Sequence, residues 1–170
     1  KDYLHTIRES GKNLLVIKRL VETLIRQEKY KEADDLLTQR VFNSDPEDAQ
    51  GLILRGYALL RQGKNDEALK CFNTVLQKNP DNVDALHYRA TAQMSSQGNI
   101  DQAIADLKQL RTAHPEAINS RLLLARAYRM NRQYAESIQC YQDILKDQPG
   151  MIPARAELAD YLNTLVGPYL

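Results

Sequence analysis

The chain has no tryptophan, two cysteines, seven glycines and six prolines among 170 residues. Strand-rich folds need turn formers more often than this, so the scarcity leans toward helices. Long apolar runs are missing as well. The stretches Leu14–Ile17 and Leu122–Ala125 hold four residues each, against the roughly 20 a membrane-spanning helix requires. Lys1–Arg8 carries charge where a secretory leader would turn apolar, so none is read there. There is no initiator Met, and the chain is read as a piece of a longer polypeptide whose compartment, cytoplasmic or periplasmic, stays open. Nor is there a surplus of one charge: 23 Lys and Arg stand against 22 Asp and Glu, a formal net charge of +1. That excludes a global attraction to nucleic acid or anionic lipid, so neither nucleic-acid binding nor membrane insertion is expected. With 43% apolar and 26% charged residues, the chain has enough apolar surface to fold.

Chemistry-bearing constellations are equally sparse. Cys71 and Cys140 lie far from any CxxC spacing and read as small buried thiols. His5, His87 and His114 are isolated, with none at the i,i+4 spacing of a helical metal pair. No glycine-rich phosphate loop and no GxSxG elbow occurs. Acidic pairs such as Asp34-Asp35 and Asp66-Glu67 fall near expected helix starts, where the helix dipole alone favours them. No enzyme activity, cofactor or metal is therefore expected.

What the sequence does have is a period. Pro46, Pro80, Pro115 and Pro149 are separated by 34, 35 and 34 residues. The rows Val21, Gly56, Ala90, Ala125 and Ala33, Ala68, Ala103, Ser137 keep the same step, as do Leu37, Phe72, Leu107 and Tyr141. Four rows on one period indicate stacked units. Each unit reads as two helices. Leu52, Gly56 and Leu59 recur at helical spacing until Gly63, which suits the left-handed conformation that ends a helix. Ala68, Phe72 and Val75 then resume the pattern until Pro80, which cannot continue it. Gly56 and Ala68 lack bulk where the helices cross, so both are expected to be buried, with Ala103 alongside.

These residues resemble the tetratricopeptide repeat. Leu52, Gly56, Leu59, Ala68, Phe72 and Pro80 match its pattern; the third unit supplies Leu86, Ala90, Ala103, Leu107 and Pro115, and the fourth Leu124, Ala125, Tyr128, Tyr141 and Pro149. The resemblance implies an all-α, right-handed superhelical solenoid of antiparallel helix pairs. The expected division is a second helix of a preceding repeat over 1–13, repeats at 14–48, 49–82, 83–117 and 118–151, and a capping or first helix over 152–170. Extra residues are expected near Ser95-Ser96 and within Gln39–Ser44, where Arg40 takes a usually apolar place and puts the packing of the first repeat in question. Arg55 and Arg89 occupy equivalent, usually apolar places and are expected to lay their stems along an interface, with Asp106 a partner for Arg89.

The resemblance also implies that the first helices of the repeats line a concave face that takes a peptide. Helical projection places Lys18, Glu22 and Arg26 there, then Ile53, Tyr57, Leu60 and Arg61, then Asp84, His87, Tyr88 and Thr91, then Asn119, Leu122, Arg126 and Arg129, with Glu157 and Asp160 beyond. Ile53, Tyr57 and Leu60 fall at i, i+4 and i+7 and read as an exposed apolar stripe. The partner-binding set drawn from this face is Ile53, Tyr57, Leu60, Arg61, His87, Leu122, Arg126 and Arg129. Tyr57, Arg126 and Arg129 are the expected anchors. Family members that clamp a C-terminal carboxylate do so with basic and amide residues where this chain has Glu22, Leu54, Asp84 and Tyr88, so that mode is rejected. The expected partner is a protein or peptide with apolar anchors and at least one carboxylate. The expected role is an interaction scaffold within a larger protein; a periplasmic assembly module of a polysaccharide or secretion system and a regulatory or recruiting domain of a larger enzyme are the alternatives. The sequence leaves oligomeric state open.

Overall fold

A computed structural model describes residues 14–95 and 98–166, with side chains described as far as 164. The half-repeat expected over 1–13, His5, Ser96 and the Gly167-Pro168 stop lie outside the described residues. Within them the chain is all-α: α1 (Leu14–Arg26), α2 (Tyr30–Leu37) with a π-turn (Thr38–Phe42) at its end, α3 (Ala49–Arg61), α4 (Asn65–Lys78), α5 (Val83–Ser95), α6 (Ile100–Ala113), α7 (Ile118–Met130), α8 (Tyr134–Asp147) and α9 (Ile152–Val166). It divides into two compact units, Lys1–Ala92 and Gln93–Leu170. No helix among the described residues is long and apolar enough to cross a membrane.

Short polar side chains start several helices. Asp48 accepts from the Gly51 amide at 2.6 Å, and Asn99 from the Gln102 amide at 3.1 Å, each satisfying a donor that the helix leaves orphaned. The turns within three helix pairs share one device. Two residues after α1, α3 and α7 end, the backbone turns left-handed, at Glu28 (φ 61°), Gly63 (φ 75°) and Arg132 (φ 58°). Gly63 is the residue expected there; the other two places hold residues that pay a steric penalty in that conformation.

In the first unit α1 packs on α2 and α3 on α4; in the second α7 packs on α8, with α6 against α7 and α9 against α8. Ala33, Ala68, Ala103 and Ser137 are fully buried, and Gly56 is buried as expected. Ser137 sits in the alanine row without cost because its hydroxyl donates to the Ala125 carbonyl at 2.8 Å. Leu37, Phe72, Leu107 and Tyr141 are likewise fully buried. Smallness at Gly56 has a direct cause: a Cβ there would stand 2.5 Å from the Phe72 ring.

The first repeat is packed rather than loosened. Its extra residue is absorbed by the π-turn, where the Asn43 amide donates to the Thr38 carbonyl five residues back at 3.2 Å. That turn leaves Arg40 exposed and buries Val41 and Phe42. Arg55 lies over the Phe42 ring at 4.7 Å and reaches back to the preceding second helix, donating to Asp34 at 2.5 Å and to Thr38 at 3.0 Å. Arg89 repeats the backward reach one period on, donating to Asn73 at 2.9 Å. Both cysteines are free thiols, Cys140 buried and Cys71 half-buried. α9 carries Leu158, Ala159 and Leu162 at the spacing of Leu124, Ala125 and Tyr128; the latter three are buried, whereas Ala159 and Leu162 are exposed.

Candidate functional site

The first helices α1, α3 and α5 place one side each along a common face of the first unit. Between them lies a depression of about 350 Å³, lined by Glu22, Arg26, Gln50, Ile53, Leu54, Tyr57, Asp84 and Tyr88. Ile53 is only 4% exposed, so it forms the floor and not part of an exposed stripe. Tyr57 and Leu60 are half-buried. The Tyr57 ring lies 5.2 Å from that of Tyr88, tilted by 37°, so residues one repeat apart do meet side by side. Tyr88 is held in turn by Phe72, stacked at 5.9 Å, and by His87, whose ring lies nearly perpendicular at 5.4 Å.

The charges of this face are mixed. Arg61 is exposed and leans on its own chain, 3.4 Å from the Tyr57 hydroxyl and 3.8 Å from Glu28. Lys18 is held by Asp48 at 2.9 Å. Burial pushes the His87 imidazole below its ordinary value, with the Asp84 carboxylate opposing, so it favours the neutral form. Burial also pushes the Tyr88 phenol up, and the fields of Asp84, Tyr57 and Glu22 add to it.

The remaining predicted residues, Leu122, Arg126 and Arg129, belong to the second unit. Leu122 is 6% exposed and packs inside the unit, which corrects its reading as a surface residue. Arg126 is not an open cation. Its Nε donates to both carboxylate oxygens of Glu157, at 3.1 and 2.9 Å, and its Nη2 donates to Oε1. Glu157 also accepts from the Tyr141 hydroxyl at 2.9 Å. The Arg126 hydrogen bond holds the Glu157 carboxyl below its ordinary value against partial burial, with Tyr141 and the charge of Arg129 adding to the effect. The positive patch expected at Arg126 and Arg129 is therefore a cluster that already contains its counter-ion.

A larger depression, about 560 Å³, went unread in the sequence. It lies on the second-helix side of the first unit, between α2 and α4 with α3 as its floor, and Tyr30, Lys31, Asp34, Arg55, Lys70 and Cys71 are among its lining residues. Among the described residues there is no group of three or more His, Cys, Asp or Glu that could hold a metal.

Two family models, both described as tetratricopeptide repeat, match residues 49–82 and 94–160 and together span more than half of the chain. The chain belongs to the tetratricopeptide-repeat family. Solved structures share its fold, among them two described as tetratricopeptide-repeat proteins. TTC0263, a thermophilic tetratricopeptide-repeat protein of Thermus thermophilus, is 20% identical with a TM-score of 0.78, the alignment covering 94% of this chain and 87% of that one. MamA of Desulfovibrio magneticus RS-1 is 21% identical with a TM-score of 0.75, covering 88% and 82%. YrrB, described as a tetratricopeptide-repeat protein with an unusual peptide-binding site, is 14% identical with a TM-score of 0.70, covering 91% and 78%. No curated protein sequence matches the chain. Tetratricopeptide repeats serve in general as protein-interaction scaffolds, and this chain is one of them.

Proposed function

We propose that this tetratricopeptide-repeat chain is a non-enzymatic scaffold that holds a peptide segment of a partner protein on the first-helix face of its repeats. The observation that carries this reading is the depression between α1, α3 and α5, where the Tyr57 and Tyr88 rings remain partly open above the buried Ile53. Aromatic side chains left accessible in a concave, partly apolar site supply contact area at low entropic cost. The peptide-binding site in YrrB's description supports the same class of ligand. Tyr57 and Leu60 would receive the partner's apolar anchors, Ile53 would floor the site, and Arg61 and His87 would border it. In the second unit Arg129 would receive a partner carboxylate, since Arg126 is held by Glu157.

Selection from a random displayed-peptide library tests the reading, run in parallel on the wild type and on Tyr57→Ala. Sequences retained by the wild type and lost with the variant are expected, with unchanged helical content by circular dichroism. A library enriched equally on both proteins refutes it and shifts attention to the depression between α2 and α4.

A further inference from the structure

We propose, building on the reading above, that the depression between α1, α3 and α5 selects a partner's basic side chain, an arginine above all, and not a carboxylate. Glu22 on α1 and Asp84 on α5 line it together with Tyr57 and Tyr88, and Arg26 is the cation among the described lining residues. Among the described residues neither Glu22 nor Asp84 has a hydrogen-bond or ion-pair partner. The site thus presents two carboxylates against one exposed arginine, beside a pair of aromatic rings.

The other neighbouring cations are engaged or neutral, and Arg26, four residues after Glu22 on α1, offsets one of the two charges at most. Lys18 is engaged with Asp48, Arg61 is turned to Tyr57 and Glu28, and His87 is kept toward its neutral form by burial. Arg26 is exposed in the last turn of α1. A guest carboxylate entering here would exchange water for two like charges, a repulsive arrangement. A guest cation would gain both carboxylates and the tyrosine faces, whose negative quadrupole attracts it. Guanidinium is favoured over ammonium because it is planar, stacks on aromatic rings and sheds water more readily. Tyr88 is suited to serve as that platform because Phe72 and His87 fix its ring on two sides.

The test is an amide-resolved NMR titration of the full 170-residue chain with blocked peptides of sequence Ala-Leu-X-Leu-Ala, where X is arginine, citrulline or glutamate. Citrulline keeps the shape of arginine and removes its charge. Shifts are expected at Ile53, Tyr57, Asp84 and Tyr88, with the arginine peptide binding about tenfold more tightly than the citrulline one. Added salt and the paired substitutions Glu22→Gln and Asp84→Asn should erase that difference while citrulline binding persists. Equal affinity for arginine and citrulline at these same amides overturns the charge selection and leaves the peptide-binding reading intact. Preference for glutamate overturns it in favour of Arg26 as the recognising group. Shifts confined to Lys31, Arg55 and Lys70, or no shifts with any peptide, overturn both.

Discussion

Replacing Gly56 with Ala separates two effects of opposite sign. In an exposed helix interior the change stabilises, because Ala exceeds Gly in helix propensity by about 1 kcal/mol. Here the new Cβ would sit 2.5 and 2.6 Å from Cε1 and Cζ of Phe72, where carbon contacts are optimal near ~3.5–4 Å. Phe72 cannot easily retreat, being fully buried and stacked on Tyr88. Overpacking of this kind costs ~1–3 kcal/mol. The net expectation is a loss of about 1 kcal/mol, the difference of those two terms. In a Phe72→Leu background the obstructing ring atoms are gone, and the same Gly56→Ala change should stabilise by ~0.5–1 kcal/mol. Urea unfolding of the four proteins, followed by far-ultraviolet circular dichroism, measures the sign reversal as a coupling energy of ~1.5–2 kcal/mol. An equal effect in both backgrounds, or stabilisation in the wild type, refutes the claim that helix approach dictates glycine at this position.

Three further outcomes are expected. Arg132→Gly should stabilise by about 0.5–1 kcal/mol, the left-handed penalty of a residue with a Cβ less the greater chain entropy of glycine; a fall in the unfolding midpoint would count against the shared turn geometry. Glu157 has its folded pKa held down chiefly by Arg126, so its contribution is complete above the ordinary glutamate range and is lost as pH falls through the folded value. Melting temperatures measured from neutral pH down through about pH 3 should therefore fall less steeply for Glu157→Gln than for the wild type. Burial raises both thiols, and a small alkylating reagent should modify half-buried Cys71 before buried Cys140, which peptide mass spectrometry reads directly.

The repeat was legible because helix crossings leave a mark that a single sequence carries: a small residue at Gly56, Ala90 and Ala125, and a large one at Phe72, Leu107 and Tyr141, each once per period. The binding face was only partly legible. Projection from one helix identified the side that carries Tyr57, but it could not show how deeply neighbours cover that side, and Ile53 and Leu122 proved buried. Arg126 looked open because its counter-ion lies 31 residues away on another helix. Glu22, Asp84 and Tyr88 were projected onto the face and used to reject a carboxylate clamp, yet were not read as a site, since that significance comes from lining one depression together. The depression between α2 and α4 had no sequence signal, as it gathers Tyr30, Arg55 and Cys71 from three helices. The surplus residue of the first repeat was visible as a count, but its absorption into a π-turn was not.

That π-turn makes the first repeat a case of phase correction. A residue inserted into an α-helix rotates everything after it by about 100°, which would swing Phe42 out of the core. In the second repeat Phe72, Val75 and Leu76 follow Ala68 at 4, 7 and 8 residues; in the first, Leu37, Val41 and Phe42 follow Ala33 at 4, 8 and 9. The wider five-residue loop of hydrogen bonding takes up the difference, so the screw returns to its pitch before Pro46. Deleting Arg40 would restore the spacing of 4, 7 and 8. A one-residue excision inside a helix, ordinarily ruinous, should here leave a folded chain that melts close to the wild type, with a plain α-helical turn where the bulge had been.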